Sequence, residues 1–168
     1  MKIMGRAAAT LAAAGSLLLL TSTPSQAYPP SPNLNTIKNQ NSGKCLEVEN
    51  SDFSNGTRVQ QWDCNGQSGA LWRMVPSGGY AFEIRSMYGK CLEVDNGRRD
   101  NGAPVQIWDC KGYDHQRWFF DEDFAIRNVN SGKVLEIEDS STSNGAGAQQ
   151  WDDAEKRTQR WYWTVAMP

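Results

Sequence analysis

The chain of 168 residues has one histidine, four cysteines and no apolar run long enough to cross a bilayer. Each shortage removes a class of function. A lone imidazole, His115, excludes a histidine cluster for a metal, and no nucleophile motif accompanies it for a Ser-His-Asp arrangement. The longest apolar stretch, Ala7 to Leu20, has 14 residues, short of the roughly 20 that a spanning helix needs. Beyond residue 27 no segment of useful length repeats its apolar residues at helical spacing. Positive charge is short as well: with Lys2 and Arg6 set aside, 15 basic residues face 19 acidic ones, a net charge of -4. Phosphate binding needs a basic footprint, so nucleic acid is not an expected partner.

What is present begins with a leader. Lys2 and Arg6, the short apolar run and Ser25-Gln26-Ala27 read as a signal peptide over residues 1–27. The expectation is a secreted, extracellular protein without membrane insertion. Residues 28–35 are a proline-rich linker, poor in regular backbone donors. That leaves 36–168 as a single domain.

This domain is written three times. Gly43, Gly89 and Gly132 are each followed 13 residues later by the glycine of an Asn-Gly pair, Gly56, Gly102 and Gly145. Trp62, Trp108 and Trp151 fall 6 residues on, and Trp72, Trp118 and Trp161 a further 10. Leu46 and Val48, Leu92 and Val94, and Leu135 and Ile137 alternate with Glu47, Glu93 and Glu136, the period of a half-buried strand with the carboxylates on the wet face. Asn-Gly tolerates the positive φ of tight turns, so the chain reverses there in each copy. Four short strands in each of three homologous repeats predict an all-β domain, in outline a β-trefoil. Trp72, Trp118 and Trp161 are expected in its core.

Cys45 and Cys64 are 19 residues apart, as are Cys91 and Cys110. The third repeat lacks both members together, with Val134 and Asp153 in their places. Joint absence predicts one disulfide inside each of the first two repeats, Cys45–Cys64 and Cys91–Cys110. Each closed loop stabilises by roughly 3 kcal/mol, and only in an oxidising compartment. The competing reading, zinc on four cysteines, lacks any C-x-x-C pair. No metal and no cofactor is expected.

Gly-Lys-Cys-Leu-Glu-Val, Asn-Gly, Val-Gln-Gln-Trp-Asp-Cys and Gln-Arg-Trp resemble the ricin B-chain type (QxW) of lectin repeat, including its small secreted actinobacterial members. The resemblance runs from Thr36 to about Thr164 and implies a shallow sugar site on each repeat. It carries over Glu47, Gln60 and Trp62 in the first, with Gly69 and Ala70 at the final positions. The second has Glu93, Gln106, Trp108, His115 and Gln116, and the third Glu136, Gln149, Trp151, Thr158 and Gln159. The residue types suit a pyranose, whose C–H face packs on indole and whose hydroxyls meet carboxylate and amide. The family's usual acid is Asp, and Glu stands in all three copies here. The first repeat lacks the polar pair before its last Trp, so the second is the most complete.

Other readings compete for the same residues. Trp62, Trp108 and Trp151 serve equally as packing under a loop, Glu47, Glu93 and Glu136 as a solvated strand face, and His115 as a polar loop residue. Paired carboxylates for glycoside hydrolysis would have to sit on an open, wet strand. The function expected is therefore a secreted, monomeric carbohydrate-binding lectin without catalysis, its affinity for a polymeric glycan built by avidity. The alternatives are a protein-binding module or hydrolase inhibitor using the loops Ser51 to Ser54 and Arg98 to Asp100, and a carbohydrate-binding module serving an enzyme on a separate chain.

Overall fold

The computed structural model describes residues 34–165, so the expected signal peptide and most of the expected proline-rich linker lie outside the described residues. Twelve strands follow in three sets of four. The first unit holds β1 (Asn35–Asn39), β2 (Cys45–Val48), β3 (Val59–Trp62) and β4 (Trp72–Pro76). The second holds β5 (Phe82–Ser86), β6 (Cys91–Val94), β7 (Ala103–Trp108) and β8 (Trp118–Phe120). The third holds β9 (Ile126–Asn128), β10 (Val134–Ile137), β11 (Ala148–Trp151) and β12 (Trp161–Val165).

The first and last strands of the units pair around a barrel, β1 with β4 and β12, β5 with β4 and β8, and β8 with β9, all antiparallel. The middle strands form the hairpins β2–β3, β6–β7 and β10–β11. These meet through β7–β11 pairing and the bridges Arg58 to Gln106 and Gln60 to Gly147. This is the β-trefoil. The fourfold strand content of each repeat is as the sequence predicts, joined by single turns of 3-10 helix.

The core repeats with the sequence: Ile37, Ile84 and Ile126, Leu46, Leu92 and Leu135, and Trp72, Trp118 and Trp161 are all fully or almost fully buried. A buried indole needs a partner for its N–H. Each finds the leucine carbonyl of its own unit, Trp72 to Leu46 at 2.9 Å, Trp118 to Leu92 at 2.9 Å and Trp161 to Leu135 at 3.0 Å. The two expected disulfides are formed, with Cα separations of 5.3 and 5.1 Å. In the third unit, ions occupy the equivalent place: Asp153 accepts from Arg127 at 2.9 Å and from Arg160 at 3.0 Å.

Asn-Gly does more than turn the chain. Asn55 donates to Asp109 and accepts from its backbone N–H at 3.0 Å each, and Gly56 lies under the Trp108 ring, where a Cβ would sit 3.5 Å from the indole. Asn101 grips Asp152 and Gly102 underlies Trp151; Asn144 grips Asp63 and Gly145 underlies Trp62. With φ of 81 to 87°, these glycines hold a conformation costly to any residue with a Cβ. Every unit is thus clipped to the next, and the third closes on the first.

One expectation fails here. The carboxylates of β2, β6 and β10 are not on a wet face; all four residues of each strand are buried, Glu47, Glu93 and Glu136 among them. The single turns before β4, β8 and β12 fold back over these hairpins and cover the outer face.

Candidate functional site

In the second unit Glu93 and Gln106 face each other across the β6–β7 ladder. Gln106 donates its side-chain amide to Glu93 Oε1 at 2.9 Å, and Gln116, from the turn before β8, donates to Oε2 at 2.7 Å. Gln116 is itself fully buried. Its remaining capacity is spent on the Asp109 carbonyl, at 2.9 Å, and on accepting from the Lys111 N–H, at 2.7 Å. An ionised carboxylate has about four acceptor directions, so two amide donors fix its orientation and leave it able to accept more. Glu93 keeps 5% of its surface, at the floor of a groove of about 460 Å³. Trp108, 39% exposed, lines the groove with Asp95, Asn96, Tyr113 and His115. His115 Nε2 lies 3.6 Å from Glu93 Oε2.

The third unit repeats the clamp. Gln149 donates to Glu136 Oε1 at 3.0 Å and Gln159 to Oε2 at 2.6 Å, and Gln159 takes the same backbone partners as Gln116, here Ala154 and Asp152. Trp151 is half-exposed beside it. Thr158, in the place of His115, is buried, and its hydroxyl has no partner among the described residues. Glu138 accepts from the Gly147 N–H at 2.8 Å and lies 3.8 Å from Arg58.

The first unit departs from both. Ala70 stands where the clamping glutamine would be, and Gly69 is crowded: a Cβ there would lie 2.7 Å from the Val48 carbonyl oxygen. Gln67, three residues upstream, takes over. It donates to the Asp63 carbonyl at 2.8 Å, accepts from the Asn65 N–H at 2.8 Å, and lies close enough to Glu47 to favour its charged form. Gln60 reaches Glu47 only at 3.5 Å. Burial accordingly pushes the Glu47 carboxyl above the usual carboxylate range, against the opposing hydrogen bonds from Gln60 and Gln67. The ordinary acidity expected of an open strand does not hold for Glu47.

The structure therefore brings the sequence-predicted residues together unit by unit and sorts their roles. Glu93, Gln106, Trp108, His115 and Gln116 all line the groove, and Gln116, like Gln159 in the third unit, also orients the carboxylate from a buried position. Tyr113 and Gln67 were not singled out from sequence. They share one position, five residues before the closing Trp, where the third unit has Lys156. A glutamine displaced within a repeat that lacks its usual one was the available signal.

The chain matches the Ricin-type beta-trefoil lectin domain over residues 34–161. Among solved structures it is similar to ThreeFoil, a designed three-fold symmetric protein, with 32% identity over 80% of this chain and 99% of that one and a TM-score of 0.76. It also resembles part of the exo-beta-1,3-galactanase 1,3Gal43A from Clostridium thermocellum, with 28% identity, a TM-score of 0.78, and coverage of 83% of this chain but 31% of that one. The agglutinin from Abrus precatorius is 26% identical, with a TM-score of 0.67, over 80% of this chain and 49% of that one. No curated protein matches by sequence. With three in-register repeats, a threefold core and a family match over nearly all the described residues, the chain belongs to the ricin-type β-trefoil lectin domain family.

Proposed function

We propose that this protein is a secreted, non-catalytic lectin that binds glycans through the groove of the second unit first, through the third unit next, and through the altered first unit least. One observation carries the reading: a carboxylate held by two amides at the floor of an open groove, beside a half-exposed indole. Sugar hydroxyls bind to such a carboxylate through charge-assisted bonds, and the C–H face of the ring packs on Trp108. Both oxygens of Glu93 are engaged as acceptors, the arrangement of a binding group. Two disulfides support an oxidising, extracellular location, in keeping with the signal peptide expected at residues 1–27.

Shallow single sites bind weakly, and three on one domain gain by avidity on a polymeric glycan. A high-density glycan array with the protein and its Trp108→Ala variant tests the reading. Binding that falls on Trp108→Ala supports it. No binding at all, or binding indifferent to Trp108 and Glu93, overturns it. Retention of a protein from culture supernatant that free sugar fails to displace would favour the protein-binding alternative.

A further inference from the structure

We infer that the groove of the second unit takes two consecutive sugar rings, the first on Trp108 and Glu93 and the second on a ledge made by Tyr113 and His115. The inference rests on the sugar-binding reading above. The two ledge rings are stacked, with centroids 5.3 Å apart and planes at 29°. Gly97 packs close to His115, where a Cβ would lie 3.0 Å from Nδ1. The imidazole therefore has little room to move toward Gly97. Tyr113 is 56% exposed, an uncommon expense of aromatic surface in a loop otherwise polar.

Geometry and volume agree. Trp108, Tyr113 and His115 line the same groove, so its apolar wall is longer than the single indole offered by the family pattern. Its volume of about 460 Å³ lies within the roughly 300–1,000 Å³ usual for small-ligand sites. Asp95 and Asn96, joined by a 2.9 Å bond between their side chains, supply polar groups for the added hydroxyls. The other units lack the ledge: Gln67 is turned onto Glu47 and the Asp63 carbonyl, with Gly69 following, and the third unit has Lys156 and Thr158. The ligand class is then a linear oligosaccharide of at least two neutral residues, read end-on by one unit.

The test is calorimetric titration of the full-length secreted protein with methyl glycosides of galactose, xylose and N-acetylglucosamine, and with the β-linked di- and trisaccharides of each. An aromatic contact of this kind should tighten binding roughly two- to tenfold from mono- to disaccharide, with no further gain at the trisaccharide. In Tyr113→Ala that gain should collapse toward unity, while Tyr113→Phe should keep it, because stacking needs no hydroxyl. A disaccharide that binds no tighter than its monosaccharide, or a gain untouched in Tyr113→Ala, overturns the second ring site while the lectin reading stands. Failure of every sugar to bind overturns both. Thermal melts of each variant establish that this exposed side chain was changed without loss of fold.

Discussion

Replacing Gln116 with alanine should destabilise the protein far more than a loss of one polar side chain suggests. The buried amide bonds Glu93 at 2.7 Å, the Asp109 carbonyl at 2.9 Å and the Lys111 N–H at 2.7 Å. A hydrogen bond to a charged group contributes about 1.5–3 kcal/mol and a neutral one about 1. Water can reach the Lys111 end and recover part of this, which leaves a loss of roughly 3 kcal/mol. The first unit already lives without this glutamine, because Gln67 makes the two corresponding backbone bonds from three residues upstream. Adding Tyr113→Gln to Gln116→Ala therefore places an amide where the first unit has one and should recover part of the loss, on the order of 1 kcal/mol. Urea denaturation with disulfides intact measures both variants. A loss below about 1 kcal/mol for Gln116→Ala, or a double variant no more stable than the single one, would refute the claim that the two glutamines do the same work.

Three further outcomes are expected. Glu47 is a buried carboxyl whose folded-state acidity is weakened by burial, so its charge opposes folding above its raised pKa, and that penalty fades as pH falls through the raised value toward the unfolded carboxyl range. Glu47→Gln should be more stable than the parent at pH 7 and lose that advantage near about pH 4, measured by paired melts; an advantage equal at both pH values sinks the electrostatic account. Asp153 behaves in the opposite sense: burial raises its carboxyl, but the Glu155 N–H, Arg160 and Arg127 outweigh this and hold it below the usual range. Its contribution is complete above the ordinary Asp value and lost as pH falls through the lowered one. Asp153→Ala should cost about 1–3 kcal/mol at neutral pH and converge on the parent in acid, and an undiminished loss at about pH 2 would point to packing instead. Finally, Glu93 and Asp95 line a groove that no Lys or Arg lines, so sialylated or uronic acid glycans should bind below their neutral counterparts on the same array; preferential capture of acidic glycans would contradict the assignment of this groove.

Much of this molecule was legible before its shape was known, because repetition converts weak local signals into a strong one. A single Asn-Gly or one Trp says little; three at the same spacing require three equivalent units, and the missing cysteine pair in the third fixed the pairing of the other four. The burial of Glu47, Glu93 and Glu136 was not legible in this way. Strand periodicity reports which side chains point away from the core, and these do. What covers them is a turn arriving from about 20 residues later in the chain, which a period of two does not register. Gln61 and Gln150 escaped for the same reason: they look like spacers in Gln-Gln-Trp, yet both are buried and hold carbonyls of a neighbouring unit, Ser141 and Ser143 for one, Arg98 and Asp100 for the other.

The sequence by itself determined the trefoil, the threefold Leu and Trp of its core, and the two disulfides, since three in-register repeats show which positions recur and which cysteines are lost together. The tertiary structure decided what lies between repeats and across turns. It showed the Asn-Gly pairs to be clips on the next unit's Trp-Asp, the closing glutamines to be supports for a carboxylate, and the groove of the second unit to be walled by Tyr113 as well as Trp108. These depend on which surfaces meet when three hairpins are brought to one end of a barrel, a condition that no one repeat contains.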